Sequence, residues 1–397
     1  MSSEYDSKMT PNLKKPRKTP ILPNEIKCVL LQGYGSVRQM KAISIPRPIP
    51  SDGEVLIRVK SCGVNFLDLS IRQGLFSDLP KLPFVPGFEC SGEIVQLGPN
   101  TPGFQIGERV ICLPRFYAWS EYLVINCNQI YKIPDSMSYR EAAALSYSYL
   151  TAYILLFEIG SIKIGQTVLF HSAGGGVGIA LSQLSKLVPN IRTIATCSKS
   201  KFEILKNQVD FLLEENSDYV SEAKKICPEG VDLVLDCLSG DNTNKGISIT
   251  KPLGKYIIYG TSKNLDGESK NYFALAKNWW HVDKISPIKL YEENRSLSGF
   301  NLHNFLFNQM FSSRRYIQDI FSKLFNLYRD GHIRPVIDSI HSFDDISLAL
   351  ARLQERKNIG KVIIEPYIDE ENLTKDGQEN INSSDTDGPD EPDCQDD

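Results

Sequence analysis

Closely spaced metal ligands are missing from this sequence. Its nine cysteines include no Cys-x-x-Cys pair, and none of its five histidines stands at a ligand spacing from another. Zinc modules depend on such spacings, and small secreted domains depend on a regular, even set of cysteines. The pattern therefore excludes a zinc-finger or disulfide scaffold and favours reduced thiols in the cytosol.

Long hydrophobic runs are missing as well. The N-terminus has no apolar signal core, and the longest apolar-rich stretch, near Tyr149 to Ile159, is shorter than a bilayer requires. We therefore expect a cytoplasmic protein with neither a secretory signal nor a transmembrane anchor. The 397 residues, 41% of them hydrophobic, are enough for two globular domains.

The two ends of the chain carry opposite charges. Residues 1–25 hold four prolines and a cluster of Lys and Arg side chains, whereas residues 369–397 hold twelve acidic residues and one lysine. Neither segment has the apolar residues that a core needs, so both are predicted to be disordered. A basic body with an acidic tail suits peripheral contact with an anionic vesicle or organelle membrane; a solubilising tail is the alternative.

The most informative motif is a glycine-rich turn between an apolar run and an amphipathic segment. The run Thr167-Val-Leu-Phe170 leads to Gly174-Gly-Gly-Val-Gly178, and a helical pattern continues to Leu187. In a parallel α/β sheet, such a turn presents backbone N–H groups and a helix N-terminus to a pyrophosphate. The motif therefore predicts a dinucleotide cofactor, with a tight turn that binds no ligand as the alternative.

Further strands predict a doubly wound sheet and favour NADPH. Runs rich in β-branched residues at 191–196, 231–236 and 254–260 alternate with helical patterns, as in parallel sheets. The first of these ends in Cys197-Ser-Lys-Ser-Lys201 rather than in the acidic residue that binds the ribose hydroxyls of NAD. The hydroxyl and ammonium groups of this segment can bind the 2′-phosphate of NADPH. The alternative is that the segment is a solvated loop that binds no ligand.

A mostly β domain precedes the α/β domain. Its short apolar runs are separated by Pro and Gly, which is typical of an antiparallel sheet with tight turns. The predicted strands lie at 28–31, 54–59, 92–95 and 109–112.

Two capped helices and a closing strand complete the pattern. Ser138 and Glu141 form a capping box for a helix that extends through Phe157, and Ser342 caps another helix over 343–356. The closing strand, 361–364, is predicted to return to the first domain. The predicted domain order has five segments. They are a basic arm (1–25), the first part of the β domain (26–150), the α/β domain (151–300) with an insertion at about 262–298, the return to the β domain (301–368) and the acidic tail (369–397).

Seven motifs follow one another along the chain: Val64-Asn-Phe-Leu-Asp68, Arg72-Gln-Gly74, Val85-Pro-Gly-Phe-Glu-Cys-Ser-Gly92, Gly107-Glu-Arg-Val110, Glu141-Ala-Ala-Ala144, Thr151-Ala-Tyr153 and the glycine turn. In sequence and order they resemble motifs of the medium-chain dehydrogenase/reductase family. They look most like its quinone oxidoreductase branch. A second set of motifs comprises His171-Ser-Ala-Gly-Gly-Gly-Val-Gly178, Asp236-Cys-Leu-Ser-Gly-Asp-Asn-Thr243, Trp279-Trp280, Ile288-Lys-Leu-Tyr-Glu-Glu-Asn294 and the acidic tail. This set more narrowly resembles the vesicle amine transport protein homolog-like group. The likeness extends from about Ile26 to Glu365.

The resemblance implies a fold and a chemistry. The fold is α/β, with a GroES-like, mostly β catalytic domain beside a Rossmann domain with a doubly wound parallel sheet, usually as a homodimer joined through the Rossmann sheets. Zinc-dependent relatives have a cysteine where Asn65 stands and a histidine where Phe88 stands, and neither side chain replaces a zinc ligand. We therefore expect no metal site, no nucleic-acid partner, and hydride transfer from NADPH to a quinone or an activated enone.

The resemblance also implies roles for single residues. Asn65 and Asp68 are implied as catalytic residues near the nicotinamide and the substrate, with turn or cap roles as the alternative. The implied cofactor contacts are Thr151 near the nicotinamide amide or phosphate, Gly175, Gly176, Val177 and Gly178 at the pyrophosphate, Ser198 and Lys201 at the 2′-phosphate, Gly260 on the nicotinamide side, and Asn358 and Lys361 over the cofactor.

Two positions depart from the family pattern. Related reductases often have a tyrosine a few residues past Asn65, where Ser70 stands here, and another against the 2′-phosphate, where Glu214 stands and would repel a phosphate. These departures, with Trp279 and Trp280 in the insertion, support an alternative function, a catalytically weak vesicle- or lipid-associated protein that retains the nucleotide pocket. Packing in the core is the alternative role for the two tryptophans.

Overall fold

The computed structural model describes residues 22–76, 78–262, 286–308 and 314–368. Most of the basic arm, the acidic tail and the pair Trp279 and Trp280 lie outside these ranges. Within them, the chain forms one mostly antiparallel sheet, one parallel sheet and a two-stranded ribbon.

The elements are numbered in chain order. The strands β1 to β15 are Glu25–Leu31, Met40–Pro46, Glu54–Val64, Cys90–Leu97, Arg109–Cys112, Tyr122–Asn126, Ile130–Lys132, Thr167–Phe170, Arg192–Cys197, Phe211–Glu214, Val231–Asp236, Thr250–Ile258, Ser296–Gly299, Ile337–Ser342 and Lys361–Glu365. The helices α1 to α10 are Phe66–Gln73, Tyr139–Tyr153, Gly176–Ser185, Phe202–Leu205, Tyr219–Ile226, Asp241–Ile249, Pro287–Glu293, Leu302–Phe307, Arg314–Arg329 and Ile346–Gln354.

The mostly antiparallel sheet belongs to the first domain. Its strand order is β14-β15-β3-β4-β5-β7, and β6 also pairs with β3. Strand β15 runs antiparallel to β3, with Val362 opposite Val64. The end of the described chain therefore completes a sheet that begins near its start, as the GroES-like fold class requires.

The parallel sheet has the order β10-β9-β8-β11-β12-β13. This is the 3-2-1-4-5-6 order of doubly wound dinucleotide-binding sheets, so the predicted fold class is confirmed. The sequence pattern does not predict β10 or β13. Strand β13 has the sequence Ser-Leu-Ser-Gly, which carries a weak strand signal, and it begins inside the predicted insertion at 262–298.

Helix α2 occupies the centre of the molecule. Its first turn has the predicted capping box, in which Ser138 Oγ accepts from Glu141 N and Glu141 Oε2 accepts from Ser138 N. The helix continues as a π-helical turn, Ile154–Ile159. Among the described residues, this 21-residue segment is the one helix long and apolar enough to cross a membrane, and 83% of its apolar window is buried inside the protein. Such burial is typical of a core helix.

The structure places the return to the first domain later than residue 301. Helices α8 and α9 join the hydrophobic core that also holds β8 and α3, through Leu302, Ile320, Phe321 and Leu324. The next strand of the first-domain sheet along the chain is β14. The physical reason is that α9 has one apolar face, and that face packs on α2 and on Tyr131.

Candidate active site

Asn65 lies in a buried polar cluster with Glu89 and Lys361. The Asn65 amide donates from Nδ2 to Glu89 Oε1 at 2.6 Å, and its Oδ1 accepts from Lys361 Nζ at 2.7 Å. Lys361 Nζ lies 2.6 Å from Glu89 Oε1. Because both ends of the amide have charged partners, its orientation is fixed. We call these three residues the Asn65 cluster.

Glu89 is the residue of this cluster that the sequence reasoning missed. Its carboxylate also accepts from Ser146 Oγ and, at 2.9 Å, from Tyr147 N, both on α2. A Cβ atom on Gly63 would stand 2.1 Å from Glu89 Oε1, so glycine at the end of β3 makes room for the carboxylate. The available sequence signal was an acidic residue within the apolar run that leads into β4.

Asp68 has the cap role that the sequence left open. Its Oδ2 accepts from Asn65 N at 2.8 Å at the start of α1. The side chain is fully buried, and within the described residues its Oδ1 has no hydrogen-bond partner. Burial raises the pKa of Asp68 well above its usual range, the Asn65 backbone bond lowers it, and the Glu89 charge raises it further.

The Asn65 cluster does not fit a zinc ion. Asn65 offers a carboxamide, the Phe88 ring is apolar, and the Lys361 ammonium fills the space beside Glu89 and Asn65. No group of three or more His, Cys, Asp or Glu side chains in the described part of the chain is arranged to hold a metal. A lysine ammonium thus supplies the positive charge at this position.

The glycine turn lies between β8 and α3, where the sequence predicts it. A Cβ on Gly178 would stand 2.2 Å from Ser172 O, and one on Gly176 would stand 2.6 Å from Ser148 Oγ, so both glycines serve close packing. A Cβ on Gly175 would be 3.4 Å from its nearest atom, Ser172 O. Gly175, Gly176 and Val177 are half-buried, which leaves this part of the turn accessible to a ligand.

The turn touches the segment that leads into β15. Gly360 N donates to Gly174 O at 2.8 Å, and Gly175 and Gly360 form a parallel bridge. The next residue, Lys361, belongs to the Asn65 cluster, although the resemblance implies that it lies over the cofactor. Gly360, which is bonded to the glycine turn, and Lys361, which belongs to the Asn65 cluster, are therefore neighbours in the chain.

The predicted 2′-phosphate residues lie just past β9. Lys201 Nζ donates to Asn358 O at 2.7 Å, and Asn358 Nδ2 donates to Gly360 O at 3.0 Å. Burial lowers the pKa of Lys201. Ser198 Oγ contacts Ser200 Oγ at 3.2 Å. Lys201 thus lies beside the glycine turn and is bonded both to Asn358 and, through its backbone N, to Ser198 O.

Arg356 and Glu215 are two more residues of this region that the sequence reasoning missed. Arg356 Nη1 lies 3.1 Å from Glu215 Oε1, and Nη2 donates to Ser262 O at 3.3 Å. Glu214, which was expected to oppose a phosphate, is exposed at the end of β10. The carboxylate that pairs with Arg356 is therefore Glu215, one residue further on.

Thr151 and Gly260 stand apart from these contacts. The Thr151 hydroxyl is buried in α2 and donates to Tyr147 O at 2.7 Å. Gly260 follows β12, and a Cβ there would stand 2.9 Å from Cys237 O, so the glycine allows the two strand ends to approach closely. Neither residue contacts the Asn65 cluster directly in the described hydrogen bonds.

Two family models match the chain. Residues 51–135 match the alcohol dehydrogenase GroES-like domain, and residues 208–364 match the zinc-binding dehydrogenase family. The human synaptic vesicle membrane protein VAT-1 homolog-like is 47% identical over 341 residues, which cover 86% of this chain and 81% of the relative. Human quinone oxidoreductase is 30% identical over 261 residues, which cover 64% of this chain and 79% of that enzyme.

Solved structures agree with these matches. The crystal structure of the human VAT-1 homolog-like protein has a TM-score of 0.77 and 41% identity, and the match covers 87% of this chain and 100% of that one. A mycobacterial structure complexed with NADPH has a TM-score of 0.74 at 23% identity, with 86% and 100% covered. The likeness to the mycobacterial structure, at 23% identity, shows the fold alone.

Proposed function

The chain belongs to the medium-chain dehydrogenase/reductase family, in the group of the VAT-1 homologs, and from this membership we propose that it is a zinc-independent, NADPH-dependent oxidoreductase of the quinone reductase type. The observation that carries the proposal is the short path from the glycine turn to the Asn65 cluster. Gly360 is bonded to the turn, and Lys361 is bonded to Asn65. A nicotinamide that extends from the turn would reach the Asn65 side chain.

The residues around the turn fit a dinucleotide with a 2′-phosphate. The half-buried Gly175, Gly176 and Val177 would take the pyrophosphate at the start of α3. Lys201, Ser198 and Arg356 would hold the 2′-phosphate, because β9 ends without the acidic residue that NAD enzymes use. Bound NADPH supplies a hydride.

The Asn65 cluster would orient the acceptor. The Glu89–Lys361 pair holds the Asn65 amide in one orientation, and the second N–H of that amide remains to meet an acceptor oxygen. The cluster offers no thiolate or imidazole that would hold a Lewis acid. Acceptors that need little polarisation, such as quinones and conjugated enones, therefore suit it best.

Nucleotide titration tests the proposal first. Purified protein is titrated with NADPH and with NADH by calorimetry, and micromolar NADPH binding is expected. Lys201→Glu should weaken NADPH binding about tenfold or more, because it replaces an attractive charge with a repulsive one. Lys199→Glu, an exposed charge reversal in the same turn, is the matched control. Failure of both nucleotides to bind would remove the proposal.

Turnover is the second test. NADPH consumption is followed with a panel of quinones and enones, and Gly176→Asp serves as a variant with a blocked turn. A Cβ at this position already meets Ser148 Oγ, so an aspartate should close the pyrophosphate site. Activity that survives in Gly176→Asp would show that the turnover arises elsewhere.

The names of the VAT-1 relatives support a second candidate, a vesicle- or lipid-associated protein with little turnover. Those proteins are named synaptic vesicle membrane proteins. Co-sedimentation with anionic liposomes tests this function, with Trp279 and Trp280 both replaced by Ala. Unchanged co-sedimentation would show that the tryptophans are not the lipid contact.

A further inference from the structure

Tyr147 lies where the two domains meet. Its side chain packs on the core that holds β8 and α3 and also on the core that holds β3 and β4. The Tyr147 ring lies 4.7 Å from the Phe88 ring, between ring centroids. The residue is half-buried between these two cores.

The Tyr147 backbone is tied to two residues of the candidate site. Its N–H donates to Glu89 Oε2 at 2.9 Å, and its C=O accepts from Thr151 Oγ1 at 2.7 Å. Since Glu89 also holds Asn65, one carboxylate positions both the Asn65 amide and the start of the Tyr147 side chain. The position of the phenol relative to Asn65 is therefore set by a rigid element, helix α2.

The Tyr147 hydroxyl can act as a proton donor. The Tyr147 hydroxyl oxygen accepts a hydrogen bond from the His303 backbone N–H, which leaves its own O–H to donate. Burial raises the pKa of Tyr147 well above its usual value, Glu89 and Asp68 raise it further, and hydrogen bonding to the His303 backbone lowers it. The phenol thus remains protonated at working pH and is available as a hydrogen-bond donor.

The surroundings suit a flat, conjugated acceptor. Phe88 lies against one side of Tyr147, and His303 lies behind Phe88, with 5.7 Å between their ring centroids. Burial lowers the pKa of His303 to about 4, so this ring is uncharged at neutral pH. Tyr147 thus stands beside an apolar ring, and Glu89 links its backbone to the Asn65 amide.

We propose that Tyr147 is a catalytic residue that donates its hydroxyl proton to the oxygen of a conjugated enone or quinone, with the Asn65 amide as the second donor to that oxygen. The inference rests on the proposed function for its hydride source. For an enone, the hydride forms a C–H bond at the β-carbon, and the π electrons of the C=C bond move toward the carbonyl oxygen. That oxygen takes the proton of Tyr147, and the phenolate recovers a proton from water. The enol then becomes the saturated ketone.

The phenol of Tyr147 would replace the one that related reductases carry after Asn65. Ser70 stands at that position and has no aromatic ring. Its backbone O accepts from Leu75 N at 2.9 Å at the end of α1. The general acid would then lie on helix α2 rather than on α1.

Tyr147→Phe tests the inference, with Tyr149→Phe as the matched control on the same helix. The Tyr149 hydroxyl bonds to Gln183 and to Arg334 O, away from the Asn65 cluster. With NADPH and 3-nonen-2-one, Tyr147→Phe should lower kcat by about 10²–10⁴-fold and leave the Kd for NADPH unchanged. The solvent deuterium isotope effect on kcat should disappear in Tyr147→Phe and persist in Tyr149→Phe.

A binding measurement decides the role of Tyr147 without turnover. The protein without nucleotide is titrated with p-nitrophenolate, an oxyanion probe, in alkaline buffer, and the shift of its absorption is recorded. Tyr147→Phe should bind the probe about tenfold or more weakly than wild type and Tyr149→Phe. Equal binding by all three, or no binding by wild type, would overturn the inference. Absence of NADPH binding would instead remove the proposed function, and the phenolate result would stand by itself.

Discussion

The Nζ atom of Lys361 lies 2.6 Å from Oε1 of Glu89, and both side chains are almost wholly withdrawn from water. The pair joins β15, near the end of the described chain, to the start of β4. It holds the Asn65 amide and therefore links the shape of the candidate site to the closure of the first-domain sheet.

Removal of one partner of this pair should destabilise the protein strongly. Lys361→Met leaves the Glu89 carboxylate buried without its counter-charge, and we expect a loss of about 3–5 kcal/mol in the free energy of unfolding. The double variant Glu89→Gln with Lys361→Met removes both charges and should recover part of that loss. Urea unfolding measures both, and Lys206→Met, in an exposed pair with Glu203, is the control. Equal stability of Lys361→Met and Lys206→Met would contradict the prediction.

His303 should make stability depend on pH. Burial lowers its pKa from 6.5 to about 4, so the unfolded chain binds a proton in this interval and the folded chain does not. The stability is therefore fully present above the unfolded pKa and falls as the pH decreases toward the folded one. Between about pH 7 and about pH 4, wild type should lose about 3 kcal/mol relative to His303→Phe. Denaturant unfolding at the two pH values measures the difference.

The control for this prediction is His332→Phe, since His332 is exposed. That variant should follow the wild-type pH dependence. If His303→Phe follows it too, another group is responsible for the dependence.

Glu215 should weaken the binding of NADPH, and Glu214 should have no effect on it. Glu215 pairs with Arg356 and lies beside the cations proposed for the 2′-phosphate, whereas Glu214 is exposed. Glu215→Gln removes the carboxylate that pairs with Arg356 and would repel a phosphate, so NADPH should bind about five times more tightly while NADH is unaffected. Calorimetric titration of both nucleotides measures this, and Glu214→Gln is the neighbouring control. A tighter Kd for NADH as well would place Glu215 away from the 2′-phosphate.

The chain should form a homodimer through the edge of its parallel sheet. Among the described residues, strand β13 lies at one edge of this sheet, and Leu297 on it is exposed, as are Leu253 on β12 and Tyr291 on α7. Exposed edges and apolar patches of this kind are typical of an interface. Light scattering after size-exclusion chromatography should give twice the mass of one chain for wild type and the mass of one chain for Leu297→Asp. Ile49→Asp, an exposed position in the first domain, should remain dimeric.

The sequence by itself determined the elements whose signals are local. The glycine turn between β8 and α3 was predictable because apolar run, glycines and helical pattern adjoin in the chain. The Ser138 and Ser342 caps were predictable because a cap and its partner are three residues apart. The order of the family motifs predicted the two-domain fold.

The tertiary structure decided which distant residues meet. Asn65 and Lys361 are 296 residues apart, and no local pattern shows that their side chains are bonded. Glu89, Arg356 and Tyr147 acquire their places from the pairing of β15 with β3 and from the position of α2 between the two cores. Burial and charge partners depend on this packing and not on neighbours in sequence. For that reason the glycine turn was predictable from the sequence, and the Asn65 cluster was not.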